Sequence, residues 1–395
     1  MTDLNEKQKK SLKWTLLLIA LTNMISVALS PATEQIRQFF NVELAVVQTA
    51  MSSTNVYQIA TSLVAMYLIN RGVLSKKTAV VLGQSLFGAA VLFVLLFHSQ
   101  FWCVYVLSGL VGCACGLFVT NAFGIMFDCF TDAERQGFAG LQTSSINLGG
   151  ILASLAGGLL AGLFWYGGYL VLSVGVVIAV VAALNIPHYK TPKSTSRGEK
   201  RARIRPPVFF YAAGEFLFML FYVSVGQNLS SHLSRSFDNF SALAGICTGI
   251  QMGGGVCAGL LFKRISKKLG DDVMVLFLAL LFAGLLLLSF LTSSLPLIFV
   301  SVFLCGCSLS MFNPWCTYGV SVYSDPTNSA ITSVIISAIA PSAGGFLSPV
   351  FFTNVTTLLR GGDTAFRYRF VACFVLAAAV LIFLRNRFSK NRLSA

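Results

Sequence analysis

The sequence predicts an all-α membrane protein with twelve transmembrane helices, arranged as two pseudo-symmetric six-helix bundles with both termini in the cytoplasm. Three observations support this fold class: the length of the apolar segments, the distribution of the basic residues, and a repeat between the two halves of the chain. Hydrophobic residues make up 56% of the 395 residues and charged residues 11%, whereas a soluble domain has about 25% charged residues. The apolar runs reach the length of about 18 residues at which a helix can cross a bilayer.

Polar breaks divide the apolar sequence into twelve candidate spans. In chain order they lie at about 14–40, 44–69, 78–98, 101–127, 134–163, 166–186, 208–231, 240–262, 272–292, 295–322, 329–356 and 365–386. The first span follows a group of lysines, as the apolar part of a signal peptide does, but roughly 25 apolar residues are too many for one. We therefore count it as a membrane span, and the charge alternation described next requires it.

The basic residues alternate between loops in the way that twelve spans require. With the N-terminus inside, 23 of the 28 Lys and Arg residues fall in inner segments, namely the two termini and the loops after spans two, four, six and eight. The outer segments contain only Arg37, Arg235, Arg360, Arg367 and Arg369. Because cytoplasmic loops are enriched in Lys and Arg, both termini are predicted to be cytoplasmic. The formal charge of +14 therefore does not indicate a nucleic-acid partner.

The longest polar stretch, 187–207, is predicted to be a cytoplasmic linker. It separates an N-terminal six-helix bundle, 1–186, from a C-terminal six-helix bundle, 208–395. Its basic run, 190–205, fits a topology determinant in a solvated linker, and contact with anionic lipid is the alternative.

The two halves contain a repeat. A shift of 192 residues places Cys113, Cys115 and Asn121 of span four on Cys305, Cys307 and Asn313 of span ten. The basic loops after spans two and eight also correspond. The chain therefore has the pattern of a duplicated six-helix unit.

Nearly all of the ten cysteines fall within or beside apolar spans, where Cys behaves as a small hydrophobic residue. The two Cys-x-Cys pairs lack the two-residue spacer and the distant His and Cys partners of a zinc site. We therefore expect packing roles for them, and no metal or cofactor.

The loop between spans two and three contains Asn70-Arg71-Gly72 followed by Lys76-Lys77, and the loop after span eight repeats this pattern between Gly259 and Lys268. Paired loops of this kind resemble the signature loops of the major facilitator superfamily of secondary transporters, and the resemblance extends over the whole chain. Asn70 stands where that family has Asp. The resemblance implies an inner, cytoplasmic gate formed by Asn70, Arg71, Lys76, Lys77, Asp128, Arg135, Lys263 and Arg264.

Span five has small residues in the frame of a glycine motif that the family's antiporters carry. Gly149, Gly157 and Gly158 keep the frame, but Ala153 and Ser154 replace its Gly-Pro pair, so the motif does not indicate an antiporter. Small residues at this spacing allow two helices to approach closely, which predicts a hinge or a tight helix contact. Pro314 is predicted to interrupt the hydrogen-bond ladder of span ten and to bend it.

The resemblance also implies that spans one, four, seven and ten line a central solute cavity. Span one has a polar face at steps of three or four residues, formed by Asn23, Ser30, Glu34 and Arg37, and such a face is expected to border water. Glu34 and Arg37 are also consistent with a solvated salt bridge near the outer surface. If Arg37 faces the cavity, it favours an anionic solute.

Glu215 in span seven is the carboxylate that the sequence places most firmly within the hydrocarbon, about 10 Å beyond Val208 at 1.5 Å per residue. An ionised carboxylate is costly at this depth, so gain or loss of a proton changes the cost of exposing it to either side. Glu215 is therefore the candidate for proton coupling. A hydrogen-bonded structural Glu near the inner interface is the alternative.

Asn121 and Asn313 lie at equivalent positions near the middle of spans four and ten, where an amide can hydrogen-bond a solute without the cost of a buried charge. Packing between helices is the alternative role. The remaining candidates for the solute cavity are Tyr222, Gln227, Gln251 and Thr317.

These features predict a secondary active transporter that moves a small neutral, amphiphilic or monoanionic organic solute by alternating access, with protons as the coupling ion. A proton-independent facilitator or exchanger of the same fold is the alternative. A membrane enzyme or a channel is disfavoured, because no span contains an acidic pair and no filter-like repeat occurs. The expected partners are the lipid bilayer, the solute and protons, for a monomer in the cytoplasmic membrane.

Overall fold

The computed structural model describes residues 5–187, 204–290, 293–324, 332 and 334–393, and every regular element in these ranges is helical. Most of the predicted linker, 187–207, falls outside the described residues. The chain forms two compact units, Met1–Arg201 and Ala202–Ala395. The all-α fold class is therefore as predicted.

The first unit contains eight α-helices within residues 5–187. They are α1 (Glu6–Leu21), α2 (Thr33–Phe40), α3 (Leu44–Asn70), α4 (Lys76–Phe97), α5 (Trp102–Cys129), α6 (Asp132–Leu163), α7 (Gly167–Leu170) and α8 (Val174–Asn185). A 3-10 segment, Ile25–Ala32, joins α1 to α2 and contains Pro31. The first span is therefore not one continuous α-helix, and Pro31, which has no N–H group to donate, lies in its 3-10 part.

The small residues of α6 pack on this interrupted first span. A Cβ atom added at Gly149 would collide with the backbone of Leu21, and one added at Gly157 would collide with Ala28. Gly168, at the start of the next span, lies against Ala28 in the same way. The glycines therefore allow backbone-to-backbone contact at the 3-10 segment, where side chains would hold the helices apart.

The second unit contains seven α-helices among its described residues. They are α9 (Pro206–Leu233), α10 (Phe240–Leu269), α11 (Val273–Phe290), α12 (Leu295–Tyr323), α13 (Ala340–Ser348), α14 (Asn354–Arg360) and α15 (Thr364–Leu393). Two π-helical turns, Ile335–Ile339 and Pro349–Thr353, flank α13.

α12 continues through Pro314 as one α-helix. Because proline has no N–H group, this residue cannot donate to the ladder, and the bend at Pro314 stays a prediction. In the eleventh span the backbone departs from α-helical geometry at the two π-helical turns. Pro349 begins one of these turns, and π turns are frequent at functional sites.

Ten helical stretches among the described residues are long and apolar enough to cross a membrane. They are Glu6–Phe40, Lys76–Phe97, Trp102–Met126, Leu141–Leu163, Gly167–Asn185, Pro206–Leu233, Phe240–Phe262, Val273–Phe290, Leu295–Asn313 and Thr364–Arg387. Two of the twelve predicted spans fall outside this set. The second is present as the 27-residue helix α3, and the eleventh is divided by π-helical turns.

Each unit has its own hydrophobic core. In the first unit, Phe87 and Phe118 meet edge to face with ring centroids 5.8 Å apart. In the second, Phe218 and Phe312 stack at 4.2 Å. All ten cysteines are free thiols, and six of them are buried.

Candidate functional sites

The second unit has its main polar site where α9 meets α12. Residues three or four positions apart share one face of a helix, and the facing residues are Tyr211, Glu215, Phe218 and Tyr222 on α9 and Phe312, Trp315, Gly319 and Tyr323 on α12. Ring contacts join the two faces. One carboxylate therefore lies within an otherwise aromatic contact.

Glu215 is almost completely buried, with 1% of its surface exposed. The side-chain amide of Asn313 donates a hydrogen bond of 3.3 Å from Nδ2 to Glu215 Oε1, and the thiol of Cys316 lies beside the same carboxyl group. No described group hydrogen-bonds to Oε2, and no cation among the described residues pairs with Glu215. Among the described residues, the carboxyl group therefore has neutral polar neighbours, an amide and a thiol, and no counter-ion.

Asn313 and Asn121 occupy equivalent positions in the repeat but differ in their surroundings. Asn313 is exposed while its amide reaches the buried Glu215. Asn121 is buried, and its amide donates to the carbonyl oxygen of Leu117 one turn earlier in the same helix, at 2.6 Å. The two amides therefore do not form an equivalent pair, and only Asn313 connects an exposed surface to a buried acid.

The other candidates of the second unit differ in burial. Tyr222 is 8% exposed and Gln251 is 3% exposed, and Gln251 lies near the Tyr222 hydroxyl. Gln227 is half-buried further along α9, beyond Tyr222. The side chains of Thr317 and Pro314 lie outside the described part of the chain.

In the first unit, the polar face of span one contains a compact ion pair. Arg37 donates to Glu34 from Nη2 at 2.5 Å and from Nε at 2.9 Å to both carboxylate oxygens. Gln38 donates to the same carboxylate at 3.1 Å. Glu34 is 2% exposed whereas the Arg37 side chain is 41% exposed, so the salt bridge is present and only its cation reaches the surface. Asn23, in the turn after α1, and Ser30, in the 3-10 segment, are half-buried.

The predicted gate of the first unit contains an ion pair between the ends of α4 and α5. Lys76 Nζ lies 2.7 Å from Asp128 Oδ2, and the two side chains are 16% and 14% exposed. The hydroxyl of Ser75 caps α4 by accepting from the Thr78 N–H at 3.0 Å. Lys76 therefore starts a capped helix and spans the gap to α5, where its Nζ also approaches the Gly124 carbonyl oxygen at 3.4 Å.

Within the first unit, Asn70 and Arg71 make no contact with this pair that is seen between described side chains. Asn70 and Arg71 are exposed, and Arg71 lies over the Tyr67 ring at 4.7 Å. Lys77 is half-buried and Arg264 is exposed. The side chains of Arg135 and Lys263 lie outside the described part of the chain.

Arg367 is a buried residue that sequence reasoning missed, because it was counted only as an outer loop charge. It is 0% exposed, and its guanidinium donates to Asn228 Oδ1, to Thr356 Oγ1 at 2.8 Å and to Thr357 Oγ1 at 3.3 Å. These neutral acceptors join α9, α14 and α15. The available signal was its position three residues inside a predicted span.

An ion pair lies just outside this cluster. Arg235 Nη1 donates to Asp363 Oδ1 at 2.7 Å. Burial acts to raise the pKa of Asp363, but hydrogen bonds from Arg235 and from the Ala365 backbone outweigh it, and the pKa lies below its usual value. The loop between α14 and α15 is therefore tied to the end of α9.

Known proteins resemble the chain along most of its length. A family model described as Major Facilitator Superfamily matches residues 15–349. No curated protein sequence matches the chain.

Three solved structures show the same fold. The nucleoside transporter NupG is 14% identical with a TM-score of 0.76, over 94% of this chain and 98% of that one. A POT family transporter in complex with a thioalcohol-conjugated peptide is 12% identical with a TM-score of 0.75, over 95% and 96%. A bacterial homologue of the human lysosomal transporter Spinster is 16% identical with a TM-score of 0.67, over 97% and 98%.

Proposed function

This chain belongs to the Major Facilitator Superfamily of secondary transporters of small solutes, and we propose that it couples solute movement to protons through Glu215. The observation that carries the proposal is a carboxyl group 1% exposed within the aromatic contact of α9 and α12. Its described neighbours include a neutral amide donor and no counter-ion.

A carboxyl group in these surroundings is suited to exchanging a proton during a transport cycle. An acidic side chain at the centre of a membrane helix costs about 2.5–3.5 kcal/mol on insertion scales, and protonation removes most of that cost. A conformation that admits water to Glu215 favours the ionised form, and one that excludes water favours the neutral form. Proton binding and conformation are therefore linked at this residue.

For the solute we propose a small organic molecule that is neutral, amphiphilic or monoanionic. Amide and aromatic side chains surround Glu215, and Asn313 is exposed beside it. The guanidinium of Arg37 is engaged by Glu34, so a neutral solute is favoured over an anion. Solutes of this size and polarity are named for two of the structural neighbours, a nucleoside and a peptide.

We also propose that the Lys76–Asp128 pair belongs to the cytoplasmic gate. The pair is half-buried at 2.7 Å and joins helix ends that face the same side under the predicted topology. A pair of this exposure has a modest interaction energy, about 1 kcal/mol, which allows it to open and close in each cycle.

A proton-independent facilitator or exchanger is the second candidate. The hydrogen bond from Asn313 to Glu215 favours it, because a neutral carboxyl group that is permanently hydrogen-bonded could serve only to join α9 and α12. Binding of protons would then have no effect on transport.

Counterflow in proteoliposomes distinguishes the two candidates. A thermal-shift screen with nucleosides, blocked dipeptides and monocarboxylates identifies a binding solute, which is then radiolabelled. For proton coupling, a pH gradient drives accumulation by the native protein but not by Glu215→Gln, while gradient-free counterflow persists in both. Glu43→Gln changes an exposed carboxylate and is the matched control. Gradient-driven uptake that is equal in native protein and Glu215→Gln would overturn the assignment of Glu215.

A further inference from the structure

We infer that the transported solute carries a flat aromatic ring, which stacks on Trp315 and Tyr211 beside Asn313. The inference rests on the proposed function in one respect, namely that the contact of α9 and α12 borders the solute site. It specifies the solute class more narrowly than neutral or amphiphilic.

A continuous series of aromatic rings follows the contact of α9 and α12. Tyr323 stacks with Tyr211 at 6.2 Å, Tyr211 meets Trp315 at 4.8 Å, and Trp315 meets Phe312 at 6.2 Å. The series continues through Phe218 to Tyr222. Six rings from two helices are thus in consecutive contact.

The series has a buried part and an accessible part. Phe218 and Phe312 are each 1% exposed, and they belong to the core. Tyr211 and Trp315 are half-buried, and Tyr323 is exposed. Only this last group of three rings can offer a face to a solute, and Asn313 is exposed two residues before Trp315.

An aromatic belt at the lipid headgroups is the competing explanation for exposed Trp and Tyr residues. Tyr323 ends α12, but Trp315 lies eight residues earlier, or about 12 Å deeper along the helix. Asn313, an exposed residue, lies deeper still, at a level where side-chain polar groups facing hydrocarbon are unfavourable. This part of α12 therefore faces water rather than lipid.

The Tyr211 ring is held in position by the backbone beneath it. The Tyr211 ring lies directly on Gly319, where an added Cβ would collide with it. Trp and Tyr have only two side-chain torsions, so little conformational entropy is lost when a ring stacks on them. The amide of Asn313 can donate to, or accept from, a polar substituent of such a ring.

The test measures solute selectivity at equilibrium, in the full-length protein in nanodiscs and without a pH gradient. The probes are pairs that differ in planarity: uridine with 5,6-dihydrouridine, and N-acetylphenylalanine amide with its cyclohexylalanine counterpart. A library of about 500 metabolites, aromatic and aliphatic, is screened alongside them by thermal shift. The inference predicts that the tightest ligands are aromatic and bind at least tenfold more tightly than their saturated counterparts.

Three variants connect this selectivity to the rings. Trp315→Leu should weaken the aromatic ligand about tenfold or more, equivalent to about 1.4 kcal/mol, and reduce the preference over its saturated counterpart. Trp315→Phe keeps a ring for stacking and should retain most of the affinity for the aromatic ligand and most of the preference over its saturated counterpart. Gly319→Ala displaces the Tyr211 ring without removing any aromatic residue, and should weaken aromatic ligands selectively. Trp102→Leu, which removes an exposed Trp from the other unit, is the control and should change neither.

The inference would be overturned if the tightest ligands lacked a planar ring or if no aromatic metabolite in the library bound. It would also be overturned if Trp315→Leu left the preference for aromatic ligands unchanged. Its failure is distinguishable from failure of the proposed function. If the native protein binds an aromatic ligand by Trp315 but a pH gradient does not drive its uptake, proton coupling fails and the solute class stands. If a pH gradient drives uptake of an aliphatic solute through Glu215, the solute class fails and the coupling stands.

Discussion

The buried guanidinium of Arg367 gives a quantitative prediction about stability. Its described hydrogen-bond acceptors are neutral oxygens of Asn228, Thr356 and Thr357, so hydrogen bonds are the main solvation of the charge, and the Asp363 carboxylate adds a longer-range attraction. Asn228→Ala removes one acceptor and leaves the cation in place. A hydrogen bond to a charged group contributes about 1.5–3 kcal/mol, and we expect a loss of about 2–3 kcal/mol in the free energy of unfolding.

Removing the charge itself should cost less. Arg367→Met eliminates the cation and leaves neutral hydroxyls, and Thr356 retains hydrogen bonds of its own to the carbonyl oxygens of Phe352 and Thr353 at 2.6 and 3.3 Å. In an Arg367→Met background, Asn228→Ala should therefore have a small additional effect, about 1 kcal/mol or less. The two substitutions are coupled, because Arg367→Met removes the positive charge that the side-chain oxygen of Asn228 solvates.

The assay is thermal unfolding in detergent, followed by intrinsic fluorescence. For a unit of this size a change of 1 kcal/mol shifts the Tm by about 2–4 °C, so Asn228→Ala should lower the Tm by about 4–12 °C. Arg369→Met changes an exposed Arg on the same helix and should shift it by less than about 2 °C. Additive effects of Asn228→Ala and Arg367→Met would refute the reasoning.

Three further predictions concern helix contact, the gate and acid stability. Gly157→Val should abolish stable folding, because a Cβ there collides with backbone, whereas Gly162→Ala meets no atom within 4 Å and should be tolerated in expression and Tm assays. Lys76→Met and Asp128→Asn should each alter the uptake rate, and the double variant should show a coupling of about 1 kcal/mol; strict additivity would contradict a working pair. The pKa of Asp363 is lowered in the folded state, so its ionised form stabilises the fold, by about 1 kcal/mol or less at this exposure. This stabilisation is fully present above the ordinary Asp pKa of about 3.9 and is lost as the pH falls below it. The acid-induced decrease in Tm should be smaller in Asp363→Asn, and an unchanged decrease would count against the ion pair.

The general fold was accessible from the sequence because it depends on long-range regularities. Apolar segment length, basic loops and the 192-residue repeat each report many residues at once, so errors at single positions cancel. The second span was recognised in this way although α3 is more polar than its neighbours. The position of irregular backbone was less predictable: Pro31 lies in a 3-10 segment, whereas Pro314 is accommodated within a continuous helix.

The candidate sites were only partly predictable, because sequence spacing gives a residue's helix face but not its partner. Glu215 could be identified from its depth alone, but its contact with Asn313 joins residues 98 positions apart. The repeat assigned equivalent positions to Asn121 and Asn313, but their side chains have different hydrogen-bond partners. Arg367 was missed because burial by neutral acceptors leaves no charge pattern in the sequence.

The claim that Glu215 couples transport to protons is tested most directly by measuring proton movement during solute uptake. Proteoliposomes loaded with a pH-sensitive dye receive an inward solute gradient at equal pH on both sides, with valinomycin and potassium to prevent a membrane potential. The account predicts a change in lumenal pH that follows solute uptake in the native protein and is absent in Glu215→Gln, which still exchanges solute. Solute uptake by the native protein with no change in pH, or an equal change in Glu215→Gln, would contradict it.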